Sequence, residues 1–238
     1  ADLDKSRRHP VLVRVYGGPH AQTARNAFSA VSLFDQYLVQ RGILVWHLDN
    51  RGSSGRGHAF ETAIYRDLGR QELADQLAGV AYLKSLPYVD GARLGITGWS
   101  YGGYMAAWAV TQTGLFKASV SGAPMTDLAF EYGSEAPEVN TGDTWALGNP
   151  YENLKLFLDR SPMTFVKKVK TPTLLLCGEN DATDPVEQCY QFHRGLRFYG
   201  VETELVVYPR EGHGPREEKH RIDVLNRVVG WFERYLKK

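Results

Sequence analysis

The chain has almost no net charge, hardly any cysteine and no long apolar run, and each shortage removes a class of function. Its 28 basic side chains face 27 acidic ones for a formal charge of +1, so nothing electrostatic draws it to nucleic acid or to a membrane surface. The short basic pieces Arg7-Arg8, Lys167-Lys168 and Lys237-Lys238 read as solvated ends and loops. The two cysteines, Cys177 and Cys189, are too few for a disulfide framework and lack the spacing of metal ligands. Cys177 ends an apolar run and is expected to be buried. No apolar run approaches the ~20 residues that span a bilayer. No signal peptide opens the sequence, but it starts Ala-Asp-Leu and not with Met, so the compartment stays open. Internal repeats and low-complexity tracts are also missing.

What is present suits a globular protein. The 238 residues are 43% hydrophobic and 23% charged, and are expected to form one α/β domain over 1–238. Short β-branched runs alternate with longer helical patterns. Strands are predicted at "VLVRVY" (Val11 to Tyr16), "ILVWHL" (Ile43 to Leu48), "RLGITGW" (Arg93 to Trp99), "ASVSGA" (Ala118 to Ala123), "TLLLC" (Thr173 to Cys177) and "ELVVY" (Glu204 to Tyr208). Such continuous apolar character belongs to a parallel sheet covered on both faces. Leu73, Leu77, Val80 and Ala81 form one helical stripe, and Ile222, Leu225, Val229, Phe232 and Leu236 form another. Strand–helix alternation predicts a doubly wound α/β sheet. Glu131 to Pro150 lacks periodicity and reads as a long loop or short-helix insertion.

The chemistry begins at "GWSYG", Gly98 to Gly102, which fits G-x-S-x-G between a predicted strand and the helical run Met105 to Val110. In that context the pattern is a nucleophile elbow. The turn holds Ser100 in a strained backbone position and lifts its hydroxyl clear of the sheet. Side chains at the neighbouring glycines would strike the adjoining strand or helix. A serine hydroxyl needs a base at neutral pH, and in this fold class the chain order is Ser, acid, His. His213, in "PREGHGPRE", follows the last predicted strand on a glycine-flanked loop. His193 and His220 read as helical, while His9, His20, His47 and His58 precede the serine. The acid is expected after the preceding strand, in "GENDATDP". Asp181 is the choice there, with Asp184 and Glu179 as rivals. Asp184, just before Pro185, is also the better candidate to cap the helix that follows. The loop "RGSSGRG" (Arg51 to Gly57) lacks the Lys-Ser ending of a phosphate-binding loop.

"VYGGPHAQ" (Val15 to Gln22), "LDNRGSSGRG" (Leu48 to Gly57), "GWSYGGYMA" (Gly98 to Ala106), "GENDATDPVEQ" (Gly178 to Gln188) and "YPREGHG" (Tyr208 to Gly214) come in one order. That order resembles the prolyl oligopeptidase family of serine peptidases, within the α/β-hydrolase fold. The first half looks like bacterial dipeptidyl peptidase IV-like enzymes, the second like acylaminoacyl-peptidase-like members. The resemblance implies Ser100 as nucleophile, Asp181 as orienting acid and His213 as base. It also implies an oxyanion hole from the Tyr16 hydroxyl and the Tyr101 backbone N–H. The acyl pocket it implies uses Tyr101, Met125, Leu128 and Asp184, with Phe130 and Tyr132 as further candidates. Neither metal nor organic cofactor is implied.

Three departures from the family pattern stand out. The β-propeller that precedes this domain in relatives is not in the chain. Family members carry an earlier antiparallel strand pair ahead of the strand ending at Tyr16. A missing N-terminal segment, a partner chain or a homo-oligomer is therefore expected to complete the sheet edge. Finally, Asp184 stands where relatives commonly carry an apolar residue, which suits a basic side chain on the substrate. The expected function is cleavage of peptide or amide bonds through an acyl-enzyme. The alternatives are a carboxylesterase acting on small esters and, more distantly, an inactive binding domain.

Overall fold

The apolar runs assemble into one sheet. A computed structural model describes residues 3–28, 30–136 and 146–237 of the chain. Its strands are β1 (His9–Arg14), β2 (Leu44–Trp46), β3 (Val89–Trp99), β4 (Ala118–Gly122), β5 (Thr173–Gly178) and β6 (Thr203–Tyr208). They lie in the order β2-β1-β3-β4-β5-β6, and every neighbouring pair is parallel. Alternate side chains feed two cores. Val11, Val13, Ile96, Leu175 and Cys177 face one way; Leu12, Val120, Leu174 and Leu176 face the other. The helices divide accordingly. On the first face lie α3 (Arg70–Ser85) and α4 (Tyr101–Gln112), with α5 (Leu128–Ser134), α6 (Pro150–Arg160) and α7 (Val186–Phe198) beside them. The second face is covered by α1 (Ala30–Gln40) and α8 (Glu218–Leu236). A single turn, α2 (His58–Glu61), sits in the β2–α3 connection.

Helix ends follow local chemistry. The Asn149 side chain accepts from the Glu152 N–H with Pro150 just inside, and Asp127 accepts from the N–H groups of Ala129 and Phe130. The Asp127 cap starts α5 ahead of Glu131, so a helix occupies the beginning of the aperiodic stretch. Residues 137–145 of that stretch lie outside the described residues. β1 ends earlier than predicted: Val15 still donates to Thr97, but the chain turns at Gly17, where φ is +84°.

Cys177 is buried as predicted, but it is bonded to Cys189. The bridge joins the end of β5 to the first turns of α7, a pairing that no count of two cysteines reveals.

The winding decides where chemistry can occur. From β1 the chain runs outward to β2 through α1 on one face. From β3 it runs the other way, to β4, through α4 on the opposite face. The carboxyl ends of β1 and β3 therefore flank a topological switch point, where open parallel sheets bind ligands. Tyr16 follows the first of those strands and Ser100 the second.

Candidate active site

Ser100 is the only residue between β3 and α4, and its φ of 59° and ψ of −126° lie where side chains are strained. Such a conformation costs of order 1–3 kcal/mol and must be imposed by its surroundings. Ser100 N–H donates to Gly122 O at 2.9 Å, and Ser100 O accepts from Tyr104 N–H at 2.9 Å. The fencing glycines permit the approach. A Cβ on Gly98 or Gly102 would lie 2.4 Å from the Val15 carbonyl oxygen, and one on Gly103 would lie 2.1 Å from that of Gly122.

Tyr16 stands opposite the elbow, its ring centroid 6.2 Å from that of Tyr101. Burial and the Asp184 carboxylate push the Tyr16 phenol above its ordinary value, with the Ser100 hydroxyl acting the other way. The phenol therefore stays a neutral donor. The turn behind it is tied by Asn50, whose amide donates to Gly17 O at 2.8 Å and accepts from Gln76 at 2.9 Å.

Two loops supply the acid and the imidazole. After β5, Asp181 accepts from the N–H groups of Thr183 (2.9 Å) and Asp184 (3.0 Å). The same carboxylate meets His213 Nδ1 at 3.0 and 3.2 Å. With Nδ1–H donating, Nε2 is left as the acceptor a general base requires. Burial works to lower the His213 pKa, but the Asp181 hydrogen bond and the charges of Asp184 and Asp181 outweigh it, and the net direction is up. No hydrogen bond joins His213 to Ser100. The link between the two halves is instead Trp99, next to the serine, whose indole N–H donates to the His213 carbonyl at 2.6 Å. Catalytic hydrogen bonds are commonly loose without substrate.

The rivals to Asp181 have other tasks. Glu179 accepts from the Arg210 N–H at 3.0 Å, which anchors the histidine loop. Asp184 does not cap α7, whose N-cap position is Pro185 and which has no side-chain cap. Asp181 already occupies the turn's N–H groups, and the Asp184 carboxylate points to the site, 3.9 Å from His213 Nδ1. The sequence offered no sign of Glu211. It accepts from Arg216 and Glu217 N–H (2.8 and 2.9 Å) and pairs with His220 at 2.7 Å, closing the loop that carries His213.

The pocket candidates lie deeper. The Tyr101 hydroxyl donates to Glu72, and Met125 and Leu128 belong to the larger core, Leu128 with 1% of its surface exposed. Tyr132 packs against Phe157, and Phe130 is exposed. A cleft of about 660 Å³ runs between α1 and α8 and reaches Trp99 and Pro215, but Ser100, Asp181 and His213 do not line it. Concavity alone would favour that cleft; the strained serine and the paired imidazole favour the switch point.

The Prolyl oligopeptidase family profile matches residues 29–238. The chain is similar to the uncharacterized peptidase YuxL of Bacillus subtilis, 34% identical over 242 residues, covering 99% of this chain and 36% of the relative. It is 29% identical to dipeptidyl-peptidase 5 of Porphyromonas gingivalis over 243 residues, 100% of this chain and 35% of the relative. Among solved structures, Pyrococcus horikoshii acylaminoacyl peptidase aligns with a TM-score of 0.91 and 30% identity, covering 100% of this chain and 39% of that one. The chain spans about a third of the length of these curated relatives.

Proposed function

The chain belongs to the prolyl oligopeptidase family and has the α/β-hydrolase fold, and from that premise we propose that it is a serine-type peptidase acting through an acyl-enzyme. Ser100 Oγ attacks the carbonyl carbon of a peptide bond as His213 Nε2 takes its proton. The negative charge that gathers on the carbonyl oxygen is met by the Tyr16 hydroxyl and the Tyr101 N–H. Collapse of the intermediate breaks the C–N bond, and His213 returns the proton to the departing amine. Water then attacks the ester carbon with the same imidazole as base, releasing the acid and Ser100. Asp181 holds the imidazole tautomer and stabilises its charged form. Met125 and Asp184 border the acyl side, with Leu128 behind them, and the Asp184 carboxylate favours a basic side chain there.

The observation that carries this reading is the Asp181–His213 pair, tied by Trp99 to a serine at φ 59°. The test is intact-mass spectrometry after fluorophosphonate treatment, with turnover of chromogenic dipeptide amides and p-nitrophenyl esters side by side. One adduct on Ser100 is expected, together with amide turnover that Ser100→Ala lowers about a millionfold. Amides ending in Lys or Arg should turn over faster than those ending in Leu. Folded protein that takes no adduct at Ser100 would overturn the reading. Fast ester turnover beside background amide turnover would replace peptidase with esterase. The open β2 edge, three residues long, is where a further segment or a second copy would add; a stable monomer on gel filtration counts against the second copy.

A further inference from the structure

Glu72 is a carboxyl that the proposed acyl transfer does not use. It sits in the first turn of α3 with none of its surface exposed. Its Oε1 accepts a 2.6 Å hydrogen bond from the Tyr101 hydroxyl, and its Oε2 has no hydrogen-bond partner among the described residues. The Tyr101 ring reaches from the elbow to Glu72 and lies beside the Tyr16 ring. Its centroid lies 6.2 Å from that of Tyr16 and 5.3 Å from that of Tyr104. It also presses on the turn after Tyr16, where a Cβ on Gly18 would come 2.4 Å from the ring. The ring therefore packs against both the Tyr16 ring and the backbone turn that follows it.

We propose that Glu72 is a positioning residue for the oxyanion site, setting the separation of its two donors by holding the far end of the Tyr101 ring. This rests on the reading that Ser100 is the nucleophile and that these donors meet the oxyanion. Below about pH 7 Glu72 serves as the neutral acid. A buried carboxylate oxygen without a partner is costly. Burial pushes the Glu72 carboxyl up to about 7, against the Tyr101 hydroxyl and nearby backbone N–H groups. The groups facing it are Tyr101 from α4, Asp67 from the loop before α3 and, with the opposite sign, the Arg70 guanidinium of α3 itself, whose charge Asp67 largely takes up. Arg160 of α6 and Arg70 of α3 bind that Asp67 carboxylate. Ionising Glu72 puts a second negative charge near Asp67 and opposes the charge that must develop at the oxyanion.

The experiment measures kcat and KM on a chromogenic dipeptide amide across pH for the wild type, E72Q, E72L, Y101F and E72L/Y101F. Far-ultraviolet circular dichroism and fluorophosphonate labelling check folding and the serine. E72Q keeps the hydrogen-bond acceptor without the charge. It should match the wild type below pH 7 and escape the decline in kcat that the wild type shows above about 7. E72L and Y101F should lower kcat about ten- to a hundredfold while KM changes by less than about twofold. The double variant should be no worse than the poorer single one, since both break one link. Should E72L fail to fold, Y101F still cuts the same hydrogen bond. A folded, labelled Y101F with wild-type kcat would overturn the proposal, as would losses confined to KM or an E72Q profile that declines like the wild type. A wild type that does not label at Ser100 sinks the acyl-transfer reading itself, a result none of those outcomes resembles.

Discussion

The two sides of the candidate site are held by different forces. On the serine side, backbone rests on backbone: Gly98, Gly102 and Gly103 let β1, β3, β4 and α4 approach until no Cβ fits. On the acid–base side, the loops after β5 and β6 are held by side chains. Asp181 and Glu211 take up loop N–H groups, Glu179 and Trp99 reach across, and the Cys177–Cys189 bond closes the loop that carries Asp181. Steric locking gives one allowed position and takes no part in proton equilibria. Polar and covalent locking lets the imidazole adjust, but ties its position to pH and redox state. Glu72, under the Tyr101 ring, is the exception on the serine side.

The largest effect that could break this contrast is expected from Gly103→Ala. Its new Cβ would lie 2.1 Å from the Gly122 oxygen, with backbone on both sides and nothing free to yield. A loss of about 4 kcal/mol or more is expected in urea unfolding, with no labelling at Ser100. Wild-type stability in this variant would refute the steric account.

Next comes the exception. Because the Glu72 carboxyl lies near 7 in the folded chain against an ordinary 4.5, the folded state holds the proton more tightly. Its stability contribution is full below about 4.5 and is lost as pH rises through 7, for a total of about 3 kcal/mol. Wild-type and E72Q melting curves should therefore diverge over that interval; parallel curves would mean that Glu72 ionises like a surface acid.

On the polar side, replacing Cys177 and Cys189 together by serine opens a loop with a sequence separation of 12. That should cost up to about 3 kcal/mol and slow acylation, while the elbow stays intact. An unchanged melting temperature would remove the bond from the list of restraints.

The smallest expected effect sharpens the contrast most. The Asp184 charge helps to raise the His213 pKa. Asp184→Asn should therefore move the acid limb of kcat/KM to lower pH. The raised imidazole contributes stability that is full below its ordinary value and is lost as pH rises through its folded one. The variant should therefore also show a shallower fall in melting temperature there. A limb that stays put would show that the 3.9 Å contact carries no charge coupling.

Much of this architecture could be read without coordinates. Apolar runs of strand length, glycines around one serine, and a histidine on a glycine-flanked loop are local signals, because each reflects a demand of the backbone at that point. Less legible were features that depend on which residues meet across the chain. Asp184 looked like a helix cap because sequence shows only its neighbour Pro185, whereas packing turned its carboxylate toward His213. Trp99, Glu211 and Glu72 carry no motif that announces their partners.

By itself, the sequence determined a parallel α/β sheet and the order in which a serine, an acid and a histidine occur along it. Those follow from side-chain periodicity and from local steric limits on φ and ψ. Only the tertiary structure decided that two cysteines join, that one carboxylate orients the imidazole while another adds charge beside it, and that a buried acid braces the Tyr101 ring. Hydrogen bonds, charge coupling and desolvation depend on distances of a few ångströms between residues far apart in the chain, and those distances exist only once the sheet has wound.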